Sequence, residues 1–395
     1  MAAMVSWRGQ GRGAMIALVV GIGACGGARP PAITAPPAPA NVAPWPDVAW
    51  AGTLIDRPPD GFVSERMIAV TASDLGFVAV GLAEAVGRER GQAWFAPGGV
   101  EWERAGPERV FEGVSLIDVA AGPGGYVAVG TASAEPAQAD PSRVVLFRSP
   151  DGRRWERVAG AGATPPGIAT AIGGGPLGYV AVGFTDPQPG PILLVSDDGL
   201  TWRPIDPATG GDIASGIGAP VAVDGGWLAV GERSGALSVL RSADATSWQA
   251  TAVEGSATNG TYLSRVLEGP YGLLATGAAS DGCGPFSSCP GQAVAWWSQD
   301  GVAWGRIPGV DPPIALSAMT VHPERGFVAM TGSAAWSSSD GWSWTGLGEI
   351  AAGEGGAVDV AVQGDRIVAV GDVAKPDGST RALFRVGGPD IEVLD

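Results

Sequence analysis

Gly125-Tyr-Val-Ala-Val-Gly130 and Gly178-Tyr-Val-Ala-Val-Gly183 are two copies of one phrase, a short run of strand-forming residues bounded by glycine. Related copies occur along the chain, and successive closing glycines lie 39 to 55 residues apart. The seven copies are Gly76–Gly81, Gly125–Gly130, Gly178–Gly183, Gly226–Gly231, Gly272–Gly277, Gly326–Gly332 and Arg366–Gly371. A repeat of this length is typical of one propeller blade. The sequence therefore predicts an all-β protein, a seven-bladed β-propeller of four-stranded antiparallel blades.

A second motif follows the phrase in five of the repeats. It consists of a Ser, an Asp two residues later, and a Trp four residues after the Asp. The copies are Ser149, Asp151 and Trp155; Ser196, Asp198 and Trp202; Ser242, Asp244 and Trp248; Ser298, Asp300 and Trp304; and Ser338, Asp340 and Trp344. A degenerate copy in the first repeat ends at Trp102. Each motif is predicted to form the turn between the third and fourth strands of its blade.

These motifs resemble the Asp-box, or bacterial neuraminidase repeat, which occurs in sialidases and in non-enzymatic propellers such as sortilin-type receptors. The usual box is Ser-x-Asp-x-Gly-x-Thr-Trp, and the copies here are one residue shorter between Asp and Trp. The resemblance implies a sialidase-like or sortilin-like fold in which the box is structural. Elementary chemistry agrees, because an Asp in a turn accepts backbone N–H groups and the Trp packs against the neighbouring sheet.

Catalytic residues do not emerge from the resemblance. A sialidase needs three arginines, a Tyr nucleophile assisted by Glu, and an acidic proton donor. Tyr126 and Tyr179 belong to the repeat, Tyr262 is predicted to lie in a connector, and Tyr271 in a turn. We therefore assign no catalytic residue and favour a non-catalytic binding or assembly module for a protein or glycan. The alternative is a carbohydrate-active enzyme, a sialidase or another glycoside hydrolase, on the same fold.

The N-terminus has the pattern of an export signal. Arg8 and Arg12 precede an apolar run over residues 14–23, which is too short to span a bilayer. Ile22-Gly-Ala-Cys25 follows and resembles the lipobox of bacterial lipoproteins, in which the Cys is acylated. The sequence predicts a signal peptide over residues 1–24 and lipidation at Cys25, against the alternative of an ordinary signal peptide with an incidental Cys.

The remaining chain divides into a tether and the propeller. Residues 25–46 comprise the acylated Cys and a Pro/Ala-rich segment that we expect to be semi-extended, and residues 47–395 form the propeller. This organisation predicts an exported protein that is lipid-anchored to the cell envelope, at the outer face of the cytoplasmic membrane or at an outer membrane.

Charge limits the partners. The formal net charge is −16, and removal of two arginines with the signal makes it −18. Such an acidic domain is not expected to bind nucleic acid or anionic lipid. We expect a monomer without cofactor or metal that contacts a membrane only through its anchor and binds an envelope protein or glycan.

Two cysteines and one histidine remain. Cys283 and Cys289 lie in one long loop and are predicted to form a local disulfide, the alternative being two free thiols. They and the distant His322 lack the spacing of a zinc site. His322 is predicted to be a solvent-exposed turn residue.

The sequence offers two candidate segments for closing the ring and one candidate binding face. The last blade lacks a fourth strand with a Trp, and either residues 391–394 or residues 47–54 can supply it. The longest and most variable loops, at residues 82–92, 131–143, 184–191 and 278–292, share one face of the predicted disc. Recognition usually resides in such loops, so this face is the expected binding surface. Its predicted acidic residues are Glu84, Glu89, Asp186 and Asp281.

Overall fold

A computed structural model describes residues 42–55, 58–132, 141–160, 162, 164–186, 190–213, 217–233, 236–253, 261–279, 292–308, 318–331, 334–349 and 355–391. Within these residues the chain forms 28 strands that pair into seven four-stranded sheets, every pairing being antiparallel. Each sheet is one blade. The predicted seven-bladed propeller is confirmed.

The strands are numbered in chain order. Blade 1 contains β2 (Ser64–Ser73), β3 (Gly76–Ala85), β4 (Arg88–Ala96) and β5 (Glu103–Arg104). Blade 2 contains β6 (Val114–Gly122), β7 (Gly125–Ala132), β8 (Arg143–Ser149) and β9 (Glu156–Arg157). Blade 3 contains β10 (Ile168–Gly175), β11 (Gly178–Phe184), β12 (Pro191–Ser196) and β13 (Arg203–Pro204). Blade 4 contains β14 (Ile217–Val223), β15 (Gly226–Arg233), β16 (Ala236–Ser242) and β17 (Gln249–Ala252).

The remaining blades complete the ring. Blade 5 contains β18 (Thr261–Gly269), β19 (Gly272–Ala279), β20 (Gln292–Ser298) and β21 (Gly305–Arg306). Blade 6 contains β22 (Met319–His322), β23 (Gly326–Thr331), β24 (Ala334–Ser338) and β25 (Thr345–Glu349). Blade 7 contains β26 (Gly356–Gln363), β27 (Arg366–Ala374), β28 (Thr380–Gly388) and β1 (Ala49–Leu54). The innermost strands contact one another in sequence from β2 to β26, and β26 contacts β2.

The repeated phrase forms the second strand of each blade. Val127, Ala128 and Val129 of β7 are all completely buried, because both faces of the strand pack against other strands. This explains why the phrase is continuously apolar rather than alternating. The turn before it needs glycine: Gly125 has φ of 100°, and a Cβ there would lie 2.5 Å from the carbonyl oxygen of Ser149.

The core consists of seven clusters, one at each interface between blades. Each cluster contains, or is packed against by, a Trp that lies in the fourth strand of the later blade or directly before it. In order from the interface of blades 1 and 2, these residues are Trp155, Trp202, Trp248, Trp304, Trp344, Trp50 and Trp102. Burial of one Trp contributes several kcal/mol at about 25 cal/mol per Å². The Trp side chains thus hold neighbouring blades together.

The N-terminal strand closes the ring. β1 pairs with β28, so that Ala49 lies opposite Gly388 and Leu54 opposite Leu383. Trp50 takes the seventh Trp position, is 5% exposed, and donates its indole N–H to the carbonyl oxygen of Leu347 at 2.7 Å. Of the two candidate closing segments, the structure selects residues 47–54. Residues 392–395 lie outside the described residues.

The disc has two faces. The turns between first and second strands and those between third and fourth strands lie on one side, termed the Asp-turn face. The turns between second and third strands and the connections between blades lie on the other side, termed the connector face. Residues 1–41, which include the predicted signal and Cys25, lie outside the described residues. In the part of the chain that is described, no helix is long and apolar enough to cross a membrane.

Closure by β1 predicts a specific loss of stability. Trp50→Ala should lower the free energy of unfolding by about 3–5 kcal/mol, since it empties the interface between blades 6 and 7. Deletion of residues 392–395 is the matched control and should leave chemical denaturation unchanged. If that deletion were the more damaging change, the C-terminal segment and not β1 would be the closing strand.

Candidate functional site

The innermost strands surround a central channel with a volume of about 710 Å³. Its wall is built mainly of small and apolar residues, such as Ala69, Ala171 and Gly174, and of main chain. Among the described lining residues only three are charged: Asp118 on β6, Arg265 on β18 and Asp359 on β26. A concave site with a few polar groups on an apolar wall is the usual form of a ligand site.

The three charged residues occupy equivalent positions in their strands. In β6, β18 and β26 the register shifts directly before Asp118, Arg265 and Asp359, respectively. Such a bulge changes the direction in which the following side chain points. Blade 1 has Ala69 and blade 3 has Ala171 at the same position. At this depth blades 1 and 3 are therefore apolar, whereas blades 2, 5 and 7 each carry a charged residue.

Both carboxylates connect their blade to the next one. Asp118 accepts the backbone N–H of Val119 at 2.8 Å through Oδ1, and that of Ile172 in blade 3 at 2.9 Å through Oδ2. Asp359 accepts the N–H of Val70 in blade 1 at 3.0 Å through Oδ2. These N–H groups lie on the inner edge of a sheet, where no further strand can pair with them.

Arg265 spans blade 6 from the opposite direction. Its Nη1 donates to the carbonyl oxygen of Met319 at 2.6 Å and lies 3.6 Å from Oδ1 of Asp359. That Oδ1 atom is buried. The side chain of Arg265 is 30% exposed and lines the channel.

Burial changes the proton affinity of both carboxylates, and at Asp118 the charge of Asp359 adds to the effect. Burial, and then the charge of Asp359, raise the pKa of Asp118 to about 7, and the two backbone hydrogen bonds only partly oppose this. Burial also raises the pKa of Asp359, against the nearby charge of Arg265. Asp118 is thus partly protonated near neutral pH.

The local sequence pattern does not distinguish these residues, because each Asp has the appearance of one polar residue in an alternating strand. A signal was nevertheless present. Ile117-Asp-Val-Ala120 and Val358-Asp-Val-Ala361 are nearly the same phrase, and they occupy the first strand of two different repeats.

The Ser-x-Asp motifs lie elsewhere, in the turns between third and fourth strands. In blade 3, Oδ1 of Asp198 accepts the N–H groups of Leu200 and Thr201, both at 2.8 Å, and the hydroxyl of Ser196 at 3.2 Å. Asp151, Asp244, Asp300 and Asp340 accept the equivalent backbone groups. The serines Ser149, Ser242, Ser298 and Ser338 donate to these Asp residues in the same way.

Hydrogen bonds within these turns lower the pKa of aspartates in them. The backbone N–H groups of Thr201 and Leu200 lower the pKa of Asp198, and hydrogen bonds from the hydroxyl and N–H of Thr246 lower the pKa of Asp244 to about 2. Each of the five aspartates has its hydrogen bonds satisfied by its own turn. None of them belongs to the described lining of the channel.

His322 is not the solvent-exposed turn residue that the sequence suggested. It is buried, its Nδ1 accepts the N–H groups of Glu324 and Arg325 at 3.1 Å, and Trp45 packs edge-on against it at 5.4 Å. Burial, and then the charge of Arg325, lower its pKa. Its role is to shape a turn. Within the described residues, no three His, Cys, Asp or Glu side chains are placed to hold a metal ion.

The connector face is described only in part. Asp281 and the predicted disulfide between Cys283 and Cys289 lie outside the described residues, so the disulfide stays a prediction. Glu84 is paired with Arg66 at 2.8 Å, and Glu89 accepts the hydroxyl of Ser115 at 2.9 Å. Tyr262 lies in β18 rather than in a connector, and it is 59% exposed.

No protein-family model matches the chain, and no curated protein matches it. Several solved structures match the chain at low similarity. An α-L-arabinofuranosidase from Fusarium graminearum is 12% identical over 69% of this chain and 92% of its own, with a TM-score of 0.44. A protein of unknown function from Dyadobacter fermentans is 12% identical over 87% of this chain and 99% of its own, with a TM-score of 0.46. A Trypanosoma rangeli sialidase is 12% identical over 88% of this chain and 59% of its own, with a TM-score of 0.43. At these values the likeness supports no inference about activity.

The Asp turns predict a local effect on stability. Asp198→Ala should lower the free energy of unfolding by about 1–3 kcal/mol, toward the lower end, because water can reach the amides that lose their acceptor. Asp197→Ala, the exposed neighbour, should change it by less than about 0.5 kcal/mol. Equal thermal melting of both variants and the parent would contradict the structural role of Asp198.

The raised pKa of Asp118 predicts a pH-dependent difference between the parent and Asp118→Asn. Between about pH 4 and 7 the unfolded chain loses this proton while the native protein keeps it, so the parent becomes less stable as pH rises. The variant does not lose stability in this way, because Asn does not titrate. Their difference in unfolding free energy should change by up to a few kcal/mol over that range and be constant above it.

Chemical denaturation at each pH measures this difference. Thr170→Val, a non-titrating change on the channel wall, is the control and should give a constant offset from the parent. Parallel profiles for the parent and Asp118→Asn would show that Asp118 titrates alike in the folded and unfolded states.

Proposed function

We propose that this chain is an exported lipoprotein, anchored through an acylated Cys25, whose propeller is a non-catalytic binding or assembly module for an envelope protein or glycan. The signal-like residues 1–24, the lipobox-like Ile22-Gly-Ala-Cys25 and the Pro/Ala-rich segment support the anchor. The closed propeller supports the binding role, because it is a rigid disc with a channel at its centre.

One observation favours binding over catalysis. The charged groups of the channel are engaged with the protein itself: Asp118 accepts an N–H group through each oxygen, Asp359 accepts one from blade 1, and Arg265 donates to blade 6. They brace the inner ring across blade boundaries. A hydrolase instead needs an acid and a nucleophile or base that are free to approach a substrate.

The opening of the central channel on the connector face, termed the funnel, is the proposed contact surface. At that level the channel wall presents Ile117, Thr170 and Val358, and Thr170 and Val358 are exposed. These residues lie in the innermost strands β6, β10 and β26, whose sheets hold them in place. A protruding loop of a protein partner, or the end of a glycan, can enter a channel of this size without rearrangement of the blades.

Blocking the funnel tests the proposal. Val358→Trp should fill the channel from its wall and reduce retention of a partner captured from envelope extract by at least about tenfold. Val302→Trp, the same substitution at an exposed Val on the Asp-turn face, is the matched control and should leave retention unchanged. Unchanged retention by Val358→Trp, with normal melting, would overturn the funnel as the binding site.

A second candidate is a glycoside hydrolase, and one observation favours it. Asp118, with a pKa of about 7, lies near a second carboxylate in a cleft, as a general acid would. Purified protein is expected not to hydrolyse a panel of fluorogenic sialosides and glycosides. Turnover that falls as pH rises through 7 and disappears in Asp118→Asn would establish the hydrolase; turnover lost in Tyr262→Phe would point to a sialidase.

A further inference from the structure

The first turn of each blade, which joins its first and second strands, is linked to the next blade around part of the ring. In blade 2 the hydroxyl of Tyr126 donates to the carbonyl oxygen of Gly76 at 2.9 Å and lies 2.6 Å from the hydroxyl of Ser73. In blade 3 the hydroxyl of Tyr179 donates to the carbonyl oxygen of Gly125 at 2.9 Å. Each Tyr thus fastens its blade to the first turn of the preceding blade.

These Tyr contacts do not continue into the next three blades. Blades 4, 5 and 6 have Trp227, Leu273 and Phe327 at the Tyr position, and none of these side chains carries a hydroxyl. A second cavity, with a volume of about 580 Å³, lies on the Asp-turn face at blades 3 to 6 and is termed the Asp-turn pocket. Its described wall consists of residues 176–177, 221–225, 267–268, 320–321 and 323. The pocket therefore lies where the Tyr contacts end.

The wall of the Asp-turn pocket is mainly apolar. Val221, Val223 and Val321 are half-buried, and Leu177 is 51% exposed. Apolar side chains that stay in contact with water inside a concave site are stabilised by a ligand that covers them. The volume of about 580 Å³ is within the usual range for small-molecule sites.

Two carboxylates lie at this wall. Asp224 and Glu268 are the only charged residues in the described lining of the pocket. Oε2 of Glu268 accepts the backbone N–H of Asp224 at 3.2 Å, which holds the Glu268 carboxylate beside the first turn of blade 4. Among the described residues, no ion pair includes either carboxylate.

The arginines at the first turns of blades 6 and 7 are already paired with other acids. Arg325 pairs with Asp365, and Arg366 pairs with Asp390. The Asp-turn pocket thus combines an apolar wall with two negative charges that no described residue neutralises. Such a site is complementary to a ligand in which an apolar body carries a positive charge.

We propose that the Asp-turn pocket binds a small organic amine, with its apolar body against the valines of the wall and its ammonium group beside Asp224 and Glu268. The site lies on the face opposite the funnel and does not depend on the binding role proposed there. An amine gains apolar burial from the wall and Coulomb attraction from the carboxylates. A neutral molecule of the same shape gains only the first, and an anion is repelled.

Three probes with nearly the same apolar body separate these two contributions. Phenylbutylamine is cationic at neutral pH, phenylbutanol is neutral and phenylbutyrate is anionic. Titration calorimetry of the purified protein should give an affinity for the amine at least about fivefold higher than for the alcohol, and the weakest binding for phenylbutyrate. High salt should reduce the advantage of the amine, because it screens the carboxylates. Equal affinities for the three probes, or no binding of the amine, would overturn the proposal.

Variants that remove charge locate the site. Asp224→Asn combined with Glu268→Gln should lower the affinity for the amine by at least about fivefold and leave that for the alcohol unchanged. The amide oxygen of Gln can still accept the N–H of residue 224, so the turn is retained. Asp74→Asn combined with Asp197→Asn removes the same charge from exposed positions of the same face and should change the amine affinity by less than about twofold. An equal loss in both double variants would show unspecific attraction and overturn the proposal.

A variant of the wall tests the apolar contribution. Leu177→Ser should weaken binding of both the amine and the alcohol by at least about twofold, because it removes apolar surface from the pocket. Leu200→Ser changes an exposed Leu of the same face that is not part of the described lining, and it should have no effect. Equal affinities in the two variants would contradict the proposed position of the apolar body.

Two further outcomes distinguish this site from the alternatives. Val358→Trp, which blocks the funnel, should leave amine binding unchanged, so that failure of the funnel proposal and failure of this proposal can be told apart. Loss of amine binding in Val358→Trp, with normal melting, would place the amine in the central channel and overturn the proposal. Tighter binding of a capped Leu-Lys-Leu peptide than of phenylbutylamine, lost in the Asp224→Asn and Glu268→Gln double variant, would assign the pocket to a protein partner and would also overturn it.

Discussion

Both faces of each blade are apolar, and this constraint makes the seven blades depend on one another. A strand such as β7 is completely buried at Val127, Ala128 and Val129 only because blades flank it on both sides. An open ring would expose one such face at each end. The seven Trp residues at the blade interfaces add to this dependence, since each belongs to one blade and packs against the neighbouring blade. Closure is therefore a condition for the fold rather than an addition to it.

The local pattern of the chain was sufficient to predict the blades. Strand length, glycine-bounded turns and the regular return of Trp are properties of short segments, and they identify seven four-stranded units. The closing strand was harder to predict, because residues 47–54 and 391–394 both have strand character. The structure shows why the first is used: only it carries a Trp, and Trp50 fills the one interface that would otherwise lack one.

The charged residues of the channel could not be predicted from such local patterns. Asp118 and Asp359 come together only when strands far apart in sequence line one channel, and a bulge in each strand determines where they point. His322 shows the complementary limit. Its turn was predicted, but its burial depends on Trp45, which approaches from the other end of the chain. Side chains whose surroundings come from remote segments cannot be assigned from local sequence.

Pairing of the first strand with the last also orders the events of folding. β1 is made first, yet its partner β28 is the last strand to be made, so the ring stays open until nearly the whole chain is available. Until β28 is made, β1 has no partner strand, which makes the incomplete chain prone to pairing with other strands. If the chain is exported as proposed above and crosses the membrane unfolded, the step that completes the disc falls after translocation, on the far side of the membrane.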